Sequence, residues 1–115
     1  HYYSLYLTKP DDVKANTKNV LSNFNICCLI NNAGTTTFSE ASNDTLKVVK
    51  RIIDTNLIGS ISTIQNVLPH FKKKKEGLII NILSVAARKT FEKSSAYRLF
   101  YGNTCCYRSS RYVKG

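Results

Sequence analysis

Four short stretches hold side chains whose types and spacing could do chemistry: Asn31-Asn32-Ala33-Gly34, Asn56-Leu57-Ile58-Gly59, Asn81-Ile82-Leu83-Ser84 and Ser94-Ser95-Ala96-Tyr97. Ser84 sits just past an apolar run, where its hydroxyl can hydrogen-bond a carbonyl oxygen or the alkoxide that develops from it. Tyr97 lies thirteen positions later, and its phenol can give a proton in one direction and take it in the other. Gly34 lets the backbone pass close to a ligand. Asn56 and Gly59 are poor choices inside a helix, each costing roughly 0.5–1 kcal/mol relative to Ala. A lone serine and a lone tyrosine mean little; their spacing, with Asn56 upstream, makes them a set.

The elements that must position these groups are readable from pattern. A helix is predicted from Pro10, because proline suits the first turn and Asp11 and Asp12 complement the positive end of the helix dipole. Val13, Val20, Leu21 and Phe24 are its apolar positions, and Asn23-Phe24-Asn25 closes it. Ile26 to Ile30 is a continuous apolar run of strand length, suited to a strand buried on both faces of a parallel sheet. Asn31 to Gly34 ends that strand and opens a polar loop through Ser39. A long helix is predicted from about Ser42 to Pro69, on the stripe Leu46, Val49, Ile53, Leu57, Ile61, Ile64 and Leu68. Leu78 to Leu83 is a second buried strand. Helix, strand, helix, strand in that order is the mark of an α/β domain with parallel strands, whose ligands bind where the strand ends diverge. Ala86 to Lys93 reads as a loop, and Ser94-Ser95 could cap a helix near Ala96. Residues 98–115 show neither strand alternation nor a helical stripe.

On those four motifs, residues 1–97 resemble the central part of the short-chain dehydrogenase/reductase family. The resemblance implies a partial Rossmann-like, doubly wound parallel α/β sheet, with central strands and helices only. It implies NAD or NADP as cofactor, with Asn32, Ala33 and Gly34 lining the nucleotide ribose. It implies Asn56, Ser84 and Tyr97 as the catalytic set, assisting hydride transfer between nicotinamide and a carbonyl or alcohol carbon. Asn56 and Gly59 would sit at a local helix distortion that holds water for proton relay. Asn31, by the same resemblance, ties strands together.

The chain also departs from the family pattern. The lysine four residues after the tyrosine is replaced by Tyr101. A free tyrosine has a pKa of about 10, and without a cation one turn away Tyr97 is a weak base. Arg98, adjacent in sequence, points elsewhere on a helix and cannot substitute. No glycine-rich loop precedes residue 31, Tyr6 stands where an acid should contact adenine, and Leu83 stands where a serine is common. These features predict an incomplete or impaired copy. The acid-free basic tail, 98–115, fits a reading-frame error, intron read-through or alternative exon, with a divergent pseudoenzyme as the competing explanation.

Composition sets the outer limits. The chain has 115 residues with 43% hydrophobic content, the size and make-up of one ordinary domain. It does not begin with Met, has no signal-peptide pattern, and reads as starting inside a longer protein. No apolar run is long enough for a membrane span. The 17 Lys and Arg against 7 Asp and Glu give a net charge of +10, which would suit a nucleic-acid or anionic-membrane partner. No nucleic-acid motif organises that charge, so Lys72 to Lys75 reads as a solvated turn and a basic nucleic-acid-binding protein is the third reading. Cys27-Cys28 and Cys105-Cys106 lack metal-ligand spacing. Buried, unbonded thiols in a reduced, cytoplasmic setting are expected. Without a first strand, the edge of the Asn31 strand and the apolar helix faces would be open. That predicts poor solubility, a homo-oligomer, or, as a second reading, a non-catalytic relative bound to a homologous full-length subunit through the long helix. The family resemblance implies a small carbonyl or alcohol as substrate.

Overall fold

The computed structural model describes residues 1–37 and 43–84, and the backbone of 111–112. Helix α1 spans Pro10–Asn23, as its proline and two first-turn aspartates dictate. Asp12 also reaches back, its Oδ2 accepting the Tyr6 N–H at 2.6 Å, so the carboxylate fixes the chain entering the helix. Strand β1 is Cys28–Asn31 and strand β2 is Leu78–Asn81. They pair parallel and in register, Cys28 opposite Leu78 and Asn31 opposite Asn81.

Between them runs a long helical segment in three parts: α2 (Leu46–Ile53), a π-helical turn (Asp54–Ile58) and α3 (Gly59–Lys74). Thr45 caps its start, its hydroxyl accepting the Val48 N–H, while the predicted start near Ser42 lies outside the described residues. The helix also outruns its predicted end at Pro69. Proline removes the bond to the Gln65 carbonyl, but both residues are exposed, so water can take that carbonyl. Val67 and Phe71, buried on either side, hold the helix to the rest of the molecule. It stops at Lys75, which turns into the left-handed region at φ 57°, ψ 20°.

Among the described residues the core is Val13, Ile52, Val67 and Phe71. Phe71 lies over Gly77, where a Cβ would run into its ring. The buried stripe of the long segment is Ile52, Asn56, Gly59, Val67 and Phe71, about one position away from the predicted apolar stripe. Leu46 is 86% exposed, and Ile53 and Ile61 are also exposed. A small or polar residue is required where the helix meets other backbone, so apolarity alone misplaces the face. Gly59 shows why: a Cβ there would come within 2.8 Å of Leu7 Cβ, where the N-terminal segment crosses the helix.

Three further expectations need correction. Cys27 is exposed rather than buried, because β1 begins one residue later. Neither Cys27 nor Cys28 is disulfide-bonded; Cys105 and Cys106 lie outside the described residues. The tail, expected to hold no strand, contributes β3 (Arg111–Tyr112), antiparallel to β2, with Leu78 opposite Tyr112. The strand order β1-β2-β3 leaves β1 at an edge, and Ile30 is 58% exposed.

Candidate active site

The parallel register brings two of the singled-out motifs side by side. The Ile82 N–H donates to the Asn31 carbonyl at 2.9 Å, carrying the ladder one step past the paired asparagines. Gly34 and Ser84 each follow their strand's asparagine by three residues, so the two chain ends leave the sheet together. Asn32, Ala33 and Gly34 are exposed there, and Ser84 is half-buried. Tyr97 lies outside the described residues.

Beneath these ends lies a group of neutral side chains, hydrogen-bonded to one another and to main-chain carbonyls of the long helix. Asn31 Nδ2 donates to Asn81 Oδ1 at 2.9 Å, so Asn31 does tie the two strands. Thr63 Oγ1, on α3, lies 2.7 Å from Asn31 Oδ1 and 2.8 Å from the Ser60 carbonyl, and can donate its proton to either. Ser60 Oγ donates to the Asn56 carbonyl at 3.0 Å. Asn56, only 7% exposed, completes the group: its Oδ1 accepts the Thr35 N–H at 2.8 Å and its Nδ2 donates to the Thr35 carbonyl at 2.9 Å. The loop after β1 is thereby clamped at its third residue beyond Asn32.

Asn56 lies in the π-helical turn, where the Gly59 N–H bonds back five residues to the Asp54 carbonyl. A local helix distortion was expected there, and π turns of this kind are frequent at functional sites. The Asn56 side chain is committed to Thr35, so any contact with a reacting group falls to its main chain. Thr63, Ser60 and Thr35 escaped sequence reasoning. The available signal was a hydroxyl at position 63, four residues before Val67 and eight before Phe71, on the buried face. The groove lined by Lys14, Thr17, Lys18, Leu21, Ser22 and Asn66 contains none of these residues.

The sequence model of the short chain dehydrogenase family matches residues 1–98. The chain belongs to that family. It is 38% identical over 92 residues to an uncharacterised oxidoreductase of Staphylococcus saprophyticus, covering 79% of this chain and 37% of the relative. It is 37% identical over 94 residues to mouse dehydrogenase/reductase SDR family member 7, covering 81% of this chain and 28% of that one. Among solved structures it is similar to ligand-free aldohexose dehydrogenase of Thermoplasma acidophilum, with a TM-score of 0.82 and 28% identity over 89% of this chain and 40% of the other. ElxO with NADP bound gives the same TM-score at 24% identity, over 90% of this chain and 43% of that one. The chain thus spans less than half the length of each of these dehydrogenase-family relatives, and what it shares with them is the central part of a Rossmann-like α/β sheet.

Proposed function

We propose that the chain is the central part of an NAD(P)-dependent oxidoreductase that moves a hydride between a nicotinamide cofactor and a small carbonyl or alcohol substrate. The observation that carries this reading is the pair of joined strand ends, with exposed Asn32–Gly34 beside Ser84 and the Asn56 clamp on Thr35. The exposed backbone at Asn32, Ala33 and Gly34 suits a ribose approaching the strand edge, and the NADP bound in ElxO supports NAD or NADP here. The pyrophosphate is a different matter, since these 115 residues contain no glycine-rich loop to seat it. When bound, the cofactor supplies or accepts the hydride. Ser84 donates a hydrogen bond to the substrate oxygen, and Tyr97 gives or takes the proton. Asn56 holds the cofactor-side loop and offers its main-chain carbonyl to the proton path. With Tyr101 in place of lysine, Tyr97 is a weak base and the copy is impaired. Residues 1–97 form the family part, 98–115 an added basic tail, and the setting is cytoplasmic.

Titrating NADH or NADPH into the labelled chain tests this by amide NMR. The expected shifts fall on Asn32–Gly34 and on Ser84, and Gly34→Val removes them. Shifts confined to other regions, or none, would sink the reading.

A second reading is favoured by the outward stripe Leu46, Ile53, Ile58 and Ile61, all exposed on one continuous helical segment. It is that the chain works by association, with its own copy or with a full-length family member, through that stripe. Ile53→Lys with Ile61→Lys should release a co-purifying subunit or shift sedimentation to the monomer. An unchanged assembly would rule the stripe out.

A further inference from the structure

Helices α1 and α3 end together, at the edge of the sheet where the strands begin. Lys74 Nζ donates to Asn25 Oδ1 at 2.5 Å and lies 3.4 Å from the Ile26 carbonyl, both just beyond α1. Around that contact Lys72, Lys73 and Lys75 are exposed, and among the described residues the ion pair is Lys50–Asp54, at the other end. Basic side chains are spread along the described residues, Lys9, Lys47, Lys50 and Arg51 among them, but the acids are not. Of the described acids, Asp11, Asp12, Asp44 and Asp54 lie where α1 and the long helix start or turn, and Glu76 alone stands at the lysine end.

Helix-dipole compensation accounts for part of this charge, since Lys72, Lys73 and Lys74 fall in the last turn of α3, but Lys75 lies beyond it. Backbone caps two of the last four carbonyls of α3: the Lys75 N–H reaches those of Lys72 and Phe71, and the Glu76 N–H reaches that of Phe71. Lys75 itself holds a positive φ, where Gly or Asn would be less strained. The fold therefore keeps a charge at a position that conformation would give to another residue. Aromatic rings stand at the same end. The His1 ring lies 4.8 Å from that of Phe24, the residue closing α1, and the neighbouring Tyr2 is fully exposed.

We propose that this end is a peripheral docking surface for an anionic phospholipid bilayer. Three free ammonium groups at one helix end act as point charges on a headgroup layer, and tyrosine is at home at that depth. A nucleic-acid partner fits less well, because the lysines cap a helix end rather than line an element that could enter a groove. Docked this way, the molecule turns Asn32–Gly34 and Ser84 away from the bilayer and leaves them open to water.

Co-sedimentation of the full chain with vesicles of phosphatidylcholine, with and without about one-third phosphatidylserine, tests the proposal. Binding should require phosphatidylserine and weaken with salt. A Lys72→Gln/Lys73→Gln/Lys75→Gln variant should lose roughly a hundredfold in partitioning, at about fivefold per lysine. A Lys14→Gln/Lys47→Gln/Arg51→Gln variant, equal in net charge, should stay within about twofold, because these exposed groups lie on other faces. Circular dichroism checks that both fold. Failure of the parent chain to bind phosphatidylserine vesicles overturns the proposal without reference to any variant. Equal loss in the two variants, or displacement from vesicles by a duplex or single-stranded oligonucleotide at equal phosphate, overturns it as well.

Discussion

The two edges of the β1–β2 pair are joined to the long helix by different means. Where the strands end, the joint is a group of short neutral side chains: Asn31 bonds Asn81 and meets Thr63, Ser60 returns to the helix backbone, and Asn56 holds the backbone of Thr35. Where they begin, the polar contacts are long-armed: Lys74 to Asn25, and His70 Nε2 3.3 Å from the Ile26 carbonyl. Apolar packing of Phe71 on Gly77 fills the space beneath. Short amides have few rotamers and fix backbone to within a hydrogen bond's tolerance. Lysine does so only at a cost in entropy, and stays adaptable. The fold thus spends geometry at the edge carrying Gly34 and Ser84, and spends burial and charge at the other.

The largest test of that contrast is Phe71→Ala. Phe71 is fully buried, and its loss should cost about 3–5 kcal/mol in denaturant unfolding. The lysine edge should loosen first: amide exchange at Leu78 should quicken more than at Thr35. Next comes Asn56→Leu, similar in volume but unable to serve Thr35. It strands a part-buried N–H and C=O and should cost about 1–2 kcal/mol, with Thr35 exchange quickened and Leu78 little changed. If both substitutions loosen both edges alike, the two joints are one cooperative unit and the contrast fails. Thr63→Val removes one hydroxyl without changing shape, and should cost about 1 kcal/mol. Its sharper readout is the side-chain amide signal of Asn31, which should broaden as Asn31 loses a fixed partner.

The sequence made the start of α1 legible to the residue, because Pro10, Asp11 and Asp12 act locally. Both strands showed as apolar runs, although shorter than predicted, and the joining role of Asn31 followed from the family resemblance. The direction in which the long helix faces was not legible. Its buried stripe includes an asparagine and a glycine, and these positions are decided by what approaches them, Thr35 and Leu7, from far away in sequence. A count of apolar residues finds the helix but selects Leu46, Ile53 and Ile61, which face outward. Pro69 misled for a similar reason. A proline breaks a helix when the freed carbonyl is buried, and here Gln65 faces water. The site was legible as far as its pattern, Asn32 to Gly34 with Ser84, whereas Thr63 emerged only once α3 was seen lying over β1.

The smallest expected effect is the most telling about the lysine edge. Lys74 makes the short contact to Asn25 Oδ1, and by distance alone it would rank among the stronger bonds in the molecule. Its surroundings argue otherwise. The bond is exposed, so water competes for both partners, and holding a four-carbon arm in one rotamer offsets part of the gain. The Ile26 carbonyl retains His70 when the ammonium is gone. Lys74→Gln should therefore cost under about 0.5 kcal/mol in urea unfolding, with little salt dependence. A loss near that of Asn56→Leu would mean that the lysine edge is also held by geometry. In that case Lys74 would belong to the structural joint, as Asn56 does at the opposite end.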